Sequence, residues 1–240
     1  MLDSVSPIGH GYGMLCTYLG HSAFLLETEE KYLLFDFTSE QLHLSDGMKP
    51  LFVFASHRHA DHFVPGIFSL SQRRGPTTFI LSSDISLDDV PSHCSVKSMD
   101  PGDEMALDNL SIKTLQSTDE GVAFVIEIEN KVIYFAGDLN HWHWSGESDQ
   151  YNEQMAADYH LQLERLPEKL DVAFVPVDPR LGPFYSLGAR DLVQRVKVST
   201  LVPMHFWKDS SVCQKLREEL KDMVGEVLQV EQLHQSWRII

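Results

Sequence analysis

Four side chains of metal-ligand type lie within six residues of one another, in the segment 56–62. They are His57, His59, Asp61 and His62, and they follow the apolar run 51–55. Imidazole nitrogens and carboxylate oxygens suit zinc and other divalent ions of similar character. If the apolar run forms a strand, the loop that follows it brings these side chains close together. His57 and His59 could then bind one metal while Asp61 and His62 bind a second one nearby. A polar loop with scattered histidines is the alternative.

Two later segments repeat this arrangement, in which an apolar strand ends in a polar side chain. Gly137-Asp138 follows one apolar run, and His205 follows another short one. Asp36 interrupts a third run that is otherwise apolar. A buried carboxylate must be paired, hydrogen-bonded or close to a cation, so Asp36 is either part of the same polar site or a capped strand end.

The composition narrows the class of protein. The 240 residues hold 35 acidic and 19 basic side chains, for a formal net charge of −16. This balance argues against a nucleic-acid partner, which needs a basic face, and against an anionic membrane surface. Cys16, Cys94 and Cys213 are too far apart for a Cys-x-x-Cys site and too few for a disulfide framework. With no secretory-type N-terminal pattern and no apolar run near the ~20 residues that span a bilayer, the sequence predicts a cytoplasmic protein.

Strand patterns dominate both halves of the chain, and helical patterns cluster after residue 65 and after residue 150. Strands are predicted at 14–19, 23–28, 32–37, 51–55, 77–82, 110–115, 122–128, 132–135, 172–177, 201–203 and 226–230. Helices are predicted at 65–71, 152–166, 189–197 and 211–223, and residues 83–103 are predicted to form turns. This order favours an α/β (α+β) fold with two sheets face to face and helices outside, in one domain over residues 1–240.

The motif His57-x-His59-x-Asp61-His62, with Asp138 and then His205 behind it, resembles the metallo-β-lactamase-fold hydrolase superfamily. The resemblance extends roughly from residue 14 to 230 and is strongest to the small cytoplasmic branch that includes ascorbate-6-phosphate lactonase-like proteins. It implies a four-layer αββα sandwich with two metals at one edge. Members of this superfamily hydrolyse lactones, thioesters, phosphodiesters, nucleic acids and β-lactams, so the fold does not name the substrate.

The resemblance also implies a ligand set. Transferred by position, the first metal takes His57 and His59, the second takes Asp61, His62 and His205, and Asp138 bridges the two. Asp36 would hold the ligand loop in place. Two divalent ions are expected, with zinc favoured and manganese or iron as alternatives.

This chain departs from the superfamily pattern at the third ligand of the first metal. A histidine is expected before the strand at 122–128, but residues 115–121 contain none, and Asp119 is the best substitute. The alternatives are a turn aspartate and a first site that is weak or empty. A carboxylate in place of imidazole would move the preference towards manganese or iron.

Further residues are candidates for catalysis and substrate binding. Asp61 and Asp138 are expected at the reacting centre, and His141 or His143 is a candidate acid, third ligand or packing residue. The candidates for substrate binding are Trp142, Trp144, Arg180 and Tyr185. His21 is expected near the site as a structural histidine.

The leading hypothesis is therefore a metal-dependent hydrolase, in which a hydroxide held by two metals cleaves an ester, lactone or phosphodiester of a small cytoplasmic molecule. One alternative is a metal-binding or regulatory module with little turnover, because its first metal site is incomplete. The other is a nuclease or RNA-processing enzyme, against which the acidic balance counts. A small-molecule substrate is the expected partner, with no nucleic acid and no membrane, and a homo-oligomer is left open.

Overall fold

The first of two β-sheets begins near the start of the described chain. In this computed structural model, residues 13–39 and 42–239 are described. The strands of this sheet are β1 (Met14–Gly20), β2 (Ala23–Glu27), β3 (Tyr32–Phe35), β4 (Leu51–Ala55), β5 (Thr77–Ser82), β6 (Ser95–Met99) and, from the far end of the chain, β14 (Ser236–Ile239). They lie in the order β14-β1-β2-β3-β4-β5-β6. The half from β14 to β3 is antiparallel, and the half from β3 to β6 is parallel.

The second sheet repeats this mixture of directions. Its strands are β7 (Glu104–Leu107), β8 (Leu110–Gln116), β9 (Val122–Ile128), β10 (Lys131–Phe135), β11 (Lys169–Pro176), β12 (Lys197–Met204) and β13 (Glu226–Val227). The order is β13-β12-β11-β10-β9-β8-β7, with β10 to β13 parallel and β7 to β10 antiparallel.

Aromatic side chains from both sheets fill the space between them. Phe35 of β3 stacks on Phe135 of β10 with ring centroids 4.6 Å apart, and Phe54 of β4 meets Phe124 of β9 at 5.2 Å. All four rings are fully buried. Burying a phenylalanine contributes roughly 1.5–3 kcal/mol, so these contacts fix the position of the strand ends that follow them.

Helices cover the outer faces of both sheets. A 3-10 helix (Pro65–Gln72) packs on the first sheet, where the ring centroids of Phe68 and Phe79 of β5 are 5.1 Å apart. On the second sheet, α1 (Asp149–Leu163) contacts α2 (Leu187–Arg195), which packs on β11 and β12, while α3 (Ser211–Leu220) packs on β13. A second 3-10 helix spans Pro179–Phe184. Among the described residues, no helix is both long and apolar enough to cross a membrane.

The predicted α/β sandwich is confirmed, and strands 51–55, 77–82 and 122–128 have the predicted bounds. The prediction that residues 83–103 form only turns is wrong, because β6 lies at a sheet edge where polar residues can face solvent. The helix predicted at 152–166 begins at Asp149, because the Ser148 side chain accepts a hydrogen bond from the Tyr151 N–H and caps it. The helix predicted at 189–197 ends at Arg195, since Lys197 already belongs to β12.

Candidate metal centre

The ends of five strands deliver polar side chains to one edge of the sandwich. Asp36 follows β3, His57 follows β4, Asp138 follows β10, Asp178 follows β11 and His205 follows β12. Since β3 and β4 are parallel, as are β10, β11 and β12, their carboxyl ends meet at the same edge. This is the edge at which open α/β sheets bind ligands.

Two glycines allow the histidine loop of the first sheet to rest on the second sheet. The Ser56 carbonyl oxygen accepts a hydrogen bond from the Val122 N–H at 2.9 Å. A Cβ atom at Gly121 would lie 2.1 Å from that oxygen, and one at Gly137 would lie 2.6 Å from the Ser56 Cβ. Both glycines also have positive φ, +69° and +52°. The loop that carries His57 therefore requires glycine at both positions.

The first ligand cluster contains His57, His59, Asp119 and Asp138, with one ligand atom from each within 4.8 Å of the others. His57 Nε2 lies 3.6 Å from Asp138 Oδ2, and His59 Nδ1 lies 3.7 Å from Asp119 Oδ2. A tetrahedral zinc with bonds of about 2.0–2.2 Å holds its ligand atoms roughly 3.3–3.6 Å apart. The separations fit a metal with little adjustment, and Asp119, the predicted substitute for a histidine ligand, belongs to this cluster.

The second cluster contains His21, Asp61, His62 and His205, again with ligand atoms within 4.8 Å. Asp138 borders it as well, because its Oδ1 lies 3.4 Å from His62 Nε2 and 3.5 Å from His205 Nε2. One oxygen of Asp138 thus faces each cluster, which is the geometry that a bridging carboxylate needs. His21 Nε2 lies 3.3 Å from Asp61 Oδ2, so His21 is a further candidate ligand.

Several buried atoms at this junction have no hydrogen-bond partner among the described residues. They are the Nε2 atoms of His21, His57 and His62 and the Oδ1 atom of Asp138. Buried polar atoms without a partner are costly and rare, and they need an explanation. A cation in each cluster would satisfy all four atoms, so the residues present fit a metal pair.

The pKa shifts of residues in both clusters also favour a bound metal pair. Burial and the neighbouring His62 charge lower the pKa of His57, so its imidazole is neutral at pH 7. Burial would lower the pKa of His62 too, but the carboxylates of Asp138 and Asp36 outweigh it and raise that pKa to about 9. Burial and the charge of Asp138 raise the pKa of Asp119. These carboxylates need positive charge nearby, which a metal would supply in place of protons.

Two buried aspartates orient the ligands from behind. Asp36 accepts hydrogen bonds from the Ser56 N–H at 2.7 Å, from the Ser56 hydroxyl at 2.7 Å and from His62 Nδ1 at 2.6 Å. Asp178 does the same for His205, whose Nδ1 lies 3.0 Å from Asp178 Oδ2. A carboxylate on the far ring nitrogen fixes the tautomer and strengthens the histidine as a ligand. This arrangement matches the expected role of Asp36, whereas Asp178 was missed although it too directly follows an apolar strand.

The backbone around the second cluster is strained. His21, Asp36, His205 and Trp207 have positive φ values of 43°, 41°, 61° and 54°. Non-glycine residues adopt this conformation at a cost, and such residues concentrate at functional sites. His21 lies in the turn between β1 and β2 and was expected near the site as a structural histidine, whereas the structure places its ring within the second ligand cluster.

A cavity of about 270 Å³ opens beside both clusters. Its lining residues are His59, Asp61, Thr118, Asp119, Asp138, Trp142, Trp144, Tyr151, Met155, Arg180, His205 and Trp207. Three of the four predicted substrate-binding residues therefore border the candidate metal centre. Trp142 and Trp144 lie nearly parallel, with an angle of 10° and ring centroids 6.2 Å apart.

His141, His143 and Tyr185 do not line this cavity. His141 and His143 line another one, and His141 Nδ1 lies 2.8 Å from Asp191 Oδ2. Asp191 also meets His160 Nε2 at 2.7 Å, so the three residues form a third cluster that sequence reasoning missed. The Tyr185 hydroxyl donates to Glu219. These side chains are committed to contacts elsewhere, and the structure does not bring the predicted acids His141 and His143 to the candidate metal centre.

Comparison with known proteins agrees with this geometry. Residues 16–205 match the family model described as the Beta-lactamase superfamily domain. The chain belongs to this superfamily. The match covers every residue of the two ligand clusters, so the predicted superfamily, its fold and a hydrolase of this class are confirmed.

Relatives and solved structures extend the likeness over nearly the whole chain. A protein from Desulforamulus reducens named as a metal-dependent hydrolase is 26% identical over 248 residues, covering 90% of this chain and 97% of the relative. The structure of Igni18, a metallo hydrolase from Ignicoccus hospitalis, has a TM-score of 0.61 at 20% identity and covers 93% of this chain and 97% of that one. CmlA from Streptomyces venezuelae, a diiron β-hydroxylase, has a TM-score of 0.63 at 12% identity, covering 97% of this chain and 55% of that protein. At these identities the structures show the fold alone.

Proposed function

We propose that this protein hydrolyses an ester, lactone or phosphodiester bond of a small cytoplasmic molecule with the help of two divalent metal ions. The observation that carries the proposal is the position of Asp138, whose two oxygens face two separate ligand clusters. The curated relatives' description as metal-dependent hydrolases supports it. When bound, such a metal pair supplies a nucleophile from water at neutral pH and polarises the bond under attack.

The chain's own residues would hold and orient the reacting groups. Asp138 is buried and has one oxygen towards each cluster, so it would fix the separation of the two ions. The close approach of His21, whose Nε2 lies 3.3 Å from Asp61 Oδ2, lowers the pKa of Asp61 and keeps this carboxylate ionised where it borders the cavity. Because His141 and His143 lie outside the cavity, the leaving group would take its proton from water in the cavity rather than from either side chain.

The identity of the metals is part of the proposal. Zinc is the first candidate, because the second cluster is rich in imidazole. The first cluster combines two histidines with the carboxylates of Asp119 and Asp138, and such a donor set gives manganese or iron a stronger claim there. The fold's likeness to CmlA, a protein described as diiron, is consistent with iron as a competitor.

A chelator experiment with simple probes tests the proposal. Purified protein is assayed on lactone and phosphodiester probes before and after metal removal, and again after zinc, manganese or iron is restored. Hydrolysis should disappear with the chelator and return with metal. The double variant His59→Ala, Asp138→Ala should be inactive, while His93→Ala, an exposed histidine remote from the clusters, should remain active. Full activity in the double variant would overturn the proposal.

One observation favours a second candidate function, that of a metal-binding module with little turnover. Asp119 replaces the superfamily's histidine, and its side chain is 46% exposed, which suits a weaker first site. One metal per chain with no activity on any probe would favour the module, and two metals with activity would favour the enzyme. A nuclease has less support, since Arg180 is the only permanently cationic residue among the described residues that line the cavity.

A further inference from the structure

Arg180 brings the only permanent positive charge to the described lining of the cavity. Half of its side chain is exposed, although it lies beside a fully buried carboxylate. Three carboxylates of the metal clusters, Asp61, Asp119 and Asp138, would balance three of the four positive charges of two divalent ions. The metal pair would therefore keep about one positive charge until a hydroxide balances it, and Arg180, although paired with the Asp178 carboxylate, adds a cationic donor to the cavity wall.

Asp178 holds the guanidinium in one place. Its carboxylate accepts hydrogen bonds from the Arg180 backbone N–H at 2.8 Å, from Nε at 2.9 and 3.0 Å, and from Nη2. The same carboxylate accepts from His205 Nδ1 at 3.0 Å and Trp207 Nε1 at 3.2 Å. The guanidinium is thus tied to a candidate metal ligand, which fixes its distance from the reacting centre.

One nitrogen of Arg180 remains available to a ligand. The bonds to Asp178 use Nε and Nη2, and Nη1 has no hydrogen-bond acceptor among the described residues. If stabilising Asp178 were the side chain's whole role, no part of the guanidinium would need to border the cavity. An arginine that is already ordered loses little entropy when it binds an anion through its remaining donors.

Flat aromatic walls surround this charge. The guanidinium carbon lies 4.6 Å from the ring centroid of Trp207 and 5.7 Å from that of Trp144. Trp142 lies parallel to Trp144, and Tyr151 lines the same cavity. Such rings favour stacking with a planar or apolar group and weaken the competition of water for the charge. The cavity of about 270 Å³ suits a small ligand.

We propose that Arg180, with the indole rings of Trp144 and Trp207, forms a subsite for an anionic group, a carboxylate or a phosphate monoester, on a small planar substrate. This inference rests on the proposed hydrolase function only for its second test below. It predicts a preference for anionic esters or lactones over their neutral counterparts. Arg180 binds the substrate in this account and takes no part in bond breaking.

Binding without turnover is the first test. Benzoate, phenyl phosphate and neutral benzamide are titrated into metal-loaded protein while tryptophan fluorescence is followed, because three of the chain's four tryptophans line the cavity. An added charge-assisted hydrogen bond contributes about 1.5–3 kcal/mol, so an anion should bind roughly 10- to 100-fold more tightly than benzamide. Comparing benzoate with phenyl phosphate identifies which anion the subsite takes.

Variants separate this subsite from the metals, which also attract anions. Arg180→Met should remove most of the anion preference and leave benzamide binding unchanged. Arg180→Lys keeps the charge but not the planar fork, and should retain part of the preference. Arg217→Met, on the exposed face of α3, is the matched control and should behave as the parent protein. An anion preference that is undiminished in Arg180→Met overturns the inference, as does the lack of any preference in the parent protein.

Hydrolysis of a matched probe pair is the second test. A phenyl ester with a ring carboxylate is compared with its carboxamide counterpart, and the kcat/KM ratio should fall at least 10-fold in Arg180→Met. Selective anion binding without hydrolysis of either probe would contradict the proposed function and leave the subsite supported. Hydrolysis of both probes at equal rates would contradict the subsite and leave the hydrolase supported.

Discussion

Replacing Gly121 by alanine should displace the histidine loop from the second sheet. The added Cβ would lie 2.1 Å from the Ser56 carbonyl oxygen and 2.6 Å from the His57 Cβ. Neither neighbour is the end of a flexible side chain, so the backbone of residues 56–57 has to move. Because His57 belongs to the first ligand cluster, the change should weaken both folding and metal binding.

The size of the effect follows from two contributions. A left-handed conformation costs an alanine about 1–2 kcal/mol, and forcing an extra carbon into a packed site costs about 1–3 kcal/mol. Gly121→Ala should therefore destabilise the metal-free protein by about 2–5 kcal/mol. Gly102→Ala is the matched control, because Gly102 also has positive φ, +91°, but its Cβ would meet nothing within 4 Å. Gly102→Ala should therefore show only the cost of the left-handed backbone conformation.

Urea unfolding in the presence of a chelator measures both variants, and zinc titration then measures metal affinity. Gly121→Ala should be less stable than Gly102→Ala by about 1–3 kcal/mol and should bind metal more weakly. If the two variants were equally stable and bound metal alike, the close packing of residues 56–57 on Gly121 would be refuted as the basis of the site.

Three further predictions concern aspartates, of which Asp36 and Asp171 are buried and Asp191 is partly buried. Asp36→Asn should lower metal affinity about 10- to 100-fold in a zinc titration, since Asp36 orients His62, while the circular dichroism spectrum stays unchanged. Asp171→Asn should cost about 1.5–3 kcal/mol at pH 7 in urea unfolding, because hydrogen bonds from Lys169 and the Val132 N–H, together with the charge of Lys131, outweigh burial and lower the pKa of Asp171. Because the pKa of Asp171 is lower in the folded protein, its carboxylate stabilises the fold above the unfolded-state pKa of about 4. The difference in free energy of unfolding between the parent protein and Asp171→Asn should therefore shrink as the pH falls below about 4. A difference that stays constant with pH would contradict this prediction. Asp191→Ala should loosen the loop that carries Trp142 and change its fluorescence, while metal stoichiometry stays the same.

Most strands and most members of the two ligand clusters could be predicted from the sequence because several of these side chains lie just after an apolar strand. β4, β10 and β12 end in His57, Asp138 and His205 with few residues between. In a sandwich with parallel inner strands, such ends meet at one edge. Local order in the sequence therefore corresponds to closeness in space for these residues.

Other parts of the site depend on contacts that the sequence does not display. His21 reaches the second cluster from a turn, in a left-handed conformation that no local pattern indicates. Asp178 could have been found, because it follows β11 as Asp138 follows β10, but its role depends on a hydrogen bond to His205. His160 joins Asp191 and His141 only because α1 packs on α2. β6 and β14 were missed since polar residues at sheet edges resemble loops.

We propose that Asp119 closes the first metal site in place of a histidine, and counting the bound metals tests this role. Elemental analysis of dialysed protein should find two metals per chain in the parent protein and in Asp119→His, but one in Asp119→Ala. Glu120→Ala is the matched control, because Glu120 is the neighbouring carboxylate and lies 3.4 Å from His59. It should keep two metals. Two tightly held metals in Asp119→Ala, or the loss of one in Glu120→Ala instead, would contradict the account.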